Sequence, residues 1–140
     1  MNLTAIRQAL AQQVQTGVAR GFTVYPYDTG ACYPPCIVVG EDEPYVTYHI
    51  TSGDRCQIQV ELTLEVRLTS ADGASARIAM DDVLVPGNSN YASIMEAVER
   101  DKTLGGTVGD VWVSQASAPG YNMDGELTAV LSIQIIANKS

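Results

Sequence analysis

Basic residues, histidine and cysteine are scarce in this chain, and each scarcity removes a class of function. Eight Lys and Arg stand against sixteen Asp and Glu, a net charge of −8 over 140 residues. No basic cluster exceeds the pair Arg100 and Lys102. Tight phosphate binding draws its affinity from such clusters, so the composition argues against direct binding of nucleic acid. An acidic surface can still serve DNA by repelling it, as the wall of a passage would. The single histidine, His49, is the one candidate base for nucleophilic catalysis, and no G-x-S-x-G elbow supplies a serine for it. Its neighbours Tyr45 and Thr47 suit a solvated sheet position. Cys32, Cys36 and Cys56 are odd in number, which does not fit a secreted disulfide framework and leaves at least one thiol unpaired within the chain. No apolar run approaches the roughly 18 to 20 residues of a membrane span, so a soluble protein is expected. The opening residues MNLTAIRQALAQQV lack the charged start and apolar centre of a secretory signal, so synthesis in a cytoplasm is expected.

What the chain does have is a long amphipathic strand. From Cys56 to Leu68, Ile58, Val60, Leu62, Leu64, Val66 and Leu68 alternate with Gln57, Gln59, Glu61, Thr63, Glu65 and Arg67. Successive side chains of a strand point to opposite faces, so this run predicts a half-wet antiparallel strand with a broad polar face. At about 3.3 Å per residue it would reach roughly 40 Å, about twice the usual strand, and so would organise the fold.

The remaining elements follow from spacing and breakers. Leu3, Ile6, Leu10, Val14 and Val18 recur at helical spacing, predicting an amphipathic helix over 2–16 that stops at Gly17 and Gly21. Phe22 to Tyr27 reads as a short extended piece, and the adjacent prolines of DTGACYPP exclude helix and central strand. Cys36 to Val39 is a short apolar run, Gly40 to Pro44 an acidic turn, and Tyr45 to Ile50 a strand with Val46, Tyr48 and Ile50 on one face. Ser52 to Asp54 would close a hairpin with the long strand. A helix from Asp72 should end at Pro86 and Gly87, and Ser89 or Asn90 could cap a second, with Tyr91, Ile94, Met95 and Val98 as its stripe. Strands at Val108 to Ala118 and Leu127 to Ala137 complete the chain, joined through Pro119 to Gly125. The fold class is therefore α+β, one domain over 1–140, a single antiparallel sheet with the N-terminal and two internal helices on its apolar face.

Candidate chemistry is thin. Cys32, Cys36, His49 and Cys56 are the only soft metal ligands, but three residues separate the first two cysteines, two of them proline, and the others flank a turn. Buried or half-buried thiols and a sheet histidine account for them better than a metal site, and Cys36 and Cys56 could meet on neighbouring strands. Asp81 with Asp82, and Glu41, Asp42 and Glu43, lack the alternating pattern of a calcium loop and read as solvated charges. Gly105, Gly106 and Gly109 precede a strand instead of opening a helix, which argues against a phosphate loop.

Taken together, LTAIRQALAQQV, TVYPY, PPCIVVG, the long alternating strand, the paired helices and DKTLGGTVGDVWV before a last strand resemble the tail terminator proteins of long-tailed bacteriophages. More broadly, they resemble the small neck and tail-completion proteins of that fold. The resemblance covers nearly the whole chain, and its most specific part is Asp101 to Gly106; the cysteines stand outside it. It implies a non-enzymatic virion protein with no cofactor, assembled in the host bacterial cytoplasm. Its subunits would form a ring, usually a hexamer, on the head-proximal end of the tail tube. Such a ring stops polymerisation of the major tail protein and offers the surface that joins the head through a head completion protein. DNA would pass through it without sequence-specific binding. Under this reading Glu41, Asp42 and Glu43, with Lys102, Thr103, Leu104, Gly105 and Gly106, are candidates for contact with the tail tube or the next subunit. Gln59, Glu61 and Glu65 are candidates for facing the channel or packing on a neighbour's helix. The alternatives are another neck component, such as the connector that closes the portal, and a small enzyme or ligand-binding module, which would need a pocket with convergent polar groups.

Overall fold

A computed structural model describes residues 2–17, 22–27, 33–50, 56–69, 73–85, 93–123 and 125–138. Its central element is the strand Cys56–Leu68, which we number β3 after β1, Thr23–Tyr25, and β2, Cys36–Ile50. Along β3, Val60, Leu62, Leu64, Val66 and Leu68 are buried while Gln59, Glu61, Thr63, Glu65 and Arg67 are half-buried, as the alternation predicts. The strands β4, Asp110–Ala116, β5, Gly120–Tyr121, and β6, Leu127–Asn138, complete one sheet in the order β1-β2-β3-β6-β4, with β5 also on β6. β3 is antiparallel to β2 on one side and to β6 on the other.

Three helices cover one face. α1, Leu3–Gly17, buries Ile6, Leu10 and Val14; α2, Gly73–Leu84, buries Ala76, Met80 and Val83; α3, Ile94–Glu99, buries Ile94, Ala97 and Val98. These side chains meet Ile37, Val39, Val60, Leu62, Leu64, Val66, Leu131, Ile133 and Ile135 in a single core. The expected α+β architecture, one sheet with helices on its apolar face, is what forms. The sheet is mixed, because β1 runs parallel to β2, Thr23 opposite Cys36 and Tyr25 opposite Val38. Parallel pairing starts both strands at the same end of the sheet, where a tight hairpin would have reversed the chain.

Three expectations need correction. The acidic segment Gly40 to Pro44 is no turn between two strands: β2 runs through it to Ile50. Glu41 pairs with Leu62 and Val46 with Val60, so the residues between them bulge out opposite Glu61. Turn-forming residue types are absorbed in a bulge because the apolar residues on either side both find partners on β3. The second internal helix begins later than Ser89 or Asn90, which with Tyr91 lie outside the described residues. Its N-cap is Ser93, whose hydroxyl accepts from Glu96 N at 3.1 Å while the Glu96 carboxylate accepts from Ser93 N. The strand expected over Val108 to Ala118 is confined to Asp110–Ala116, since Val108 belongs to the preceding turn. The turn Ser52 to Asp54 lies outside the described residues, but the pairing Ile50 with Cys56 is that of the expected hairpin.

Both margins of the sheet are irregular. β1 covers only Cys36 to Val38 of β2, which leaves the bulged remainder of that strand on the outside. On the other margin β4 shifts register between Val113 and Gln115.

Candidate functional site

The polar sheet face is set by strand register. Residues directly opposite on neighbouring strands share a face, so Glu61 lies in one row with Gln134 and Trp112, Gln59 with Ile136 and Asp110, and Glu65 with Val38 and Val130. Gln59, Glu61 and Glu65 are thus brought together on the face away from the helices, as their alternation predicts. Glu65 accepts from Arg67 Nε at 2.8 Å, and the Gln59 amide lies 3.5 Å from Gln134 Oε1. Glu61 makes no ion pair or hydrogen bond among the described residues and remains a half-buried carboxylate, with Gln134 between it and Trp112. Asp42 joins this face from the bulge: its carboxylate accepts from Ser132 Oγ at 3.2 Å, across β3. Gly40 permits the crossing, since a Cβ there would stand 2.8 Å from Thr63 Oγ1.

The bulge is also tied to the helical side. Glu41 faces α1, where its carboxylate pairs with the Arg7 guanidinium. Arg7 is 3% exposed. It donates to the carbonyls of Pro26 at 3.1 Å and Val39 at 3.2 Å, and lies over the rings of Tyr27 and Tyr45 at 4.8 and 5.9 Å. A buried guanidinium satisfied by carbonyls, a carboxylate and two π faces is a structural anchor. Of the three acidic residues expected to reach outward, Glu41 and Asp42 are therefore engaged within the chain, and Glu43 is the exposed one without a side-chain partner among the described residues. Arg7 itself escaped the sequence reading. Its signal was its place four residues from Leu3 and from Ala11 and seven from Val14, inside the core-facing stripe.

The DKTLGG segment is a built turn. The Asp101 carboxylate accepts from Thr103 Oγ1 at 2.7 Å, Thr103 N at 3.0 Å and Gly105 N at 2.9 Å. The Thr103 hydroxyl and these two backbone amides hold the Asp101 carboxyl below its ordinary value. Leu104, with φ of 49°, places its side chain in the core at 3% exposure, while Gly105 and Gly106 follow at φ of 72° and 88°. Leu104 is thus a core residue, not the outward contact expected of it. Lys102 reaches Glu99 at 3.6 Å and Asp110 at 3.9 Å; Thr103, Gly105 and Gly106 are exposed.

Between this turn and α1 lies an open groove of about 330 Å³ lined by Ala9, Gln12, Gln13, Thr16, Arg100 and Leu104, among others. Gln13 fixes its floor by donating to the carbonyls of Ala97, Val98 and Asp101, which close the C-terminus of α3. Gly17 lets the two helices touch, since a Cβ on it would stand 2.6 Å from Ala97 Cβ.

The cysteines and histidine do not converge. Cys36 is buried and disulfide-bonded. It stands opposite Arg67, whereas Cys56 stands opposite Ile50, at the far end of the same ladder. Eleven positions along β3 are about 36 Å, so the meeting of Cys36 with Cys56 is overturned. Cys32 and the side chains of His49 and Cys56 lie outside the described residues. Among the described residues no group of three His, Cys, Asp or Glu could hold a metal, and no helix is long and apolar enough to cross a membrane.

Comparison with known families and with curated proteins returned no match to this chain.

Proposed function

We propose that this chain is a tail terminator of a long-tailed bacteriophage. Its copies form a ring, hexameric in the family it resembles, that caps the head-proximal end of the tail tube and offers the surface for head joining. The observation that carries the reading is the sheet built on β3. One face is filled by three helices, and the other, bearing Gln59, Glu61 and Glu65, has no helix over it among the described residues. A polar, net acidic face of this extent suits the wall of a passage for DNA, where carboxylates repel phosphates and keep the strand from sticking. A ring needs two different complementary surfaces per subunit, and the bulge of β2 and the groove beside α1 are two such places.

The test is negative-stain electron microscopy of the purified protein, alone and with the major tail protein of its phage. Rings that cap tubes and arrest their growth are expected. Tubes that lengthen unchecked, with the protein bound instead to portal-bearing heads, would assign it to the neck as a connector. Binding to neither would leave the fold without this role.

A further inference from the structure

We propose that Glu43, at the tip of the β2 bulge, docks into the Arg100 groove of a second copy, so that the subunits join head to tail. The inference deepens the ring reading and rests on it for closure of the chain of contacts.

The bulge is held at three points: Glu41 on Arg7, Asp42 on Ser132, and the Tyr45 ring against the same guanidinium. What this fixed segment presents is Glu43, exposed and without a side-chain partner among the described residues. Such preorganisation lowers the ordering cost of association. In the groove, Gln13 and Asp101 are committed to carbonyls and to the turn. The groups left without a side-chain partner among the described residues are the Arg100 guanidinium and the Gln12 amide. In a chain of net charge −8, Arg100 is exposed and, among the described residues, makes no ion pair or ring contact of the kind that Arg7, Arg67, Arg77 and Lys102 each make. A guanidinium fork with an amide beside it matches a carboxylate. About 330 Å³ holds the volume of about ten waters, enough for a chain tip and more than a lone ion needs.

One copy cannot satisfy itself. At about 100° per residue, Ala9, Gln12, Gln13 and Thr16 fall roughly 140–240° around α1 from Arg7, which holds the bulge. The two surfaces face opposite ways, so contact between copies is heterologous, and such contacts make a ring where the rotation between neighbours closes.

The experiment is sedimentation equilibrium over a concentration series on the wild type, Glu43→Arg, Arg100→Glu and the double reversal, with circular dichroism to confirm the common fold. The wild type is expected to self-associate, each single reversal to weaken association about tenfold or more, and the double reversal to restore it. A wild type that stays monomeric throughout, or a double reversal as weak as the singles, overturns the proposal. So does Arg100→Glu abolishing tube capping while Glu43→Arg caps normally, which would place a carboxylate of the tail tube in the groove. Charge-coupled association with no capping of tubes would leave the docking standing and remove the terminator role.

Discussion

Arg7 and Glu41 join α1 to the bulge of β2, and they share the contact unequally: the arginine side chain is 4% exposed and the glutamate 56%. Removing the carboxylate leaves a desolvated cation with only two carbonyls and two ring faces. Removing the cation leaves a carboxylate that water can reach.

Glu41→Ala is accordingly expected to cost at least as much stability as Arg7→Met, about 2–4 kcal/mol against about 1–3. The double variant should fall short of the sum by about 1 kcal/mol or more. Urea unfolding of the four proteins measures this cycle; strictly additive costs would show that the ion pair is not what anchors the bulge.

Gly17→Ala should destabilise by about 1–3 kcal/mol despite the better helix propensity of alanine, because α1 and α3 have no room for the methyl group. The compensating change Ala97→Gly, made in the same chain, should recover part of that loss. Thermal melting of both variants checks it, and a stabilised Gly17→Ala would mean the helices separate without penalty.

Asp101 supplies a pH signature. Its folded value lies below the ordinary 3.8, so its contribution to stability is present above that value and is lost as pH falls through the lower folded value. Asp101→Asn should therefore be less stable than the wild type near pH 7, with the gap closing below about pH 3.8. A gap that persists unchanged in acid would trace the turn's stability to something other than the carboxylate.

The polar sheet face makes a prediction about DNA. If Glu61 and Glu65 line a passage, Glu61→Lys with Glu65→Lys should convert a protein that does not retain duplex DNA into one that does. That retention should fall steeply with added salt. Gel mobility at two ionic strengths reads this, and identical behaviour of wild type and variant would argue that the face packs against protein.

Much of this architecture is written in local pattern. β3 occupies the residues its alternation marks, and the helical stripe of Leu3, Ile6, Leu10 and Val14 becomes the buried side of α1. The three polar residues Gln59, Glu61 and Glu65 fall on one face because a period of two allows nothing else. What escaped depends on partners distant in sequence. Glu41-Asp42-Glu43-Pro44 has the composition of a turn, and only the pairing of flanking Glu41 and Val46 with Leu62 and Val60 makes it a bulge. The parallel placement of β1 is likewise decided by β2, not by TVY itself. The Ser93 cap, by contrast, is legible as Ser-x-x-Glu, although Ser89 and Asn90 upstream are equally good capping residue types. Leu104 reads as a loop residue beside two glycines, although a lone leucine in an otherwise polar turn is a candidate for reaching back into the core.

The irregular margins of the sheet also bear on edge-to-edge pairing. An open, straight strand invites another chain to add itself by main-chain hydrogen bonds, without regard to identity and without a stopping point. Here both outer strands break their ladders, β2 between Glu41 and Val46 and β4 between Val113 and Gln115. Backbone-templated stacking is thereby stalled from either side. Any chain that meets these margins must then be recognised by side chains more than by a continuous backbone ladder.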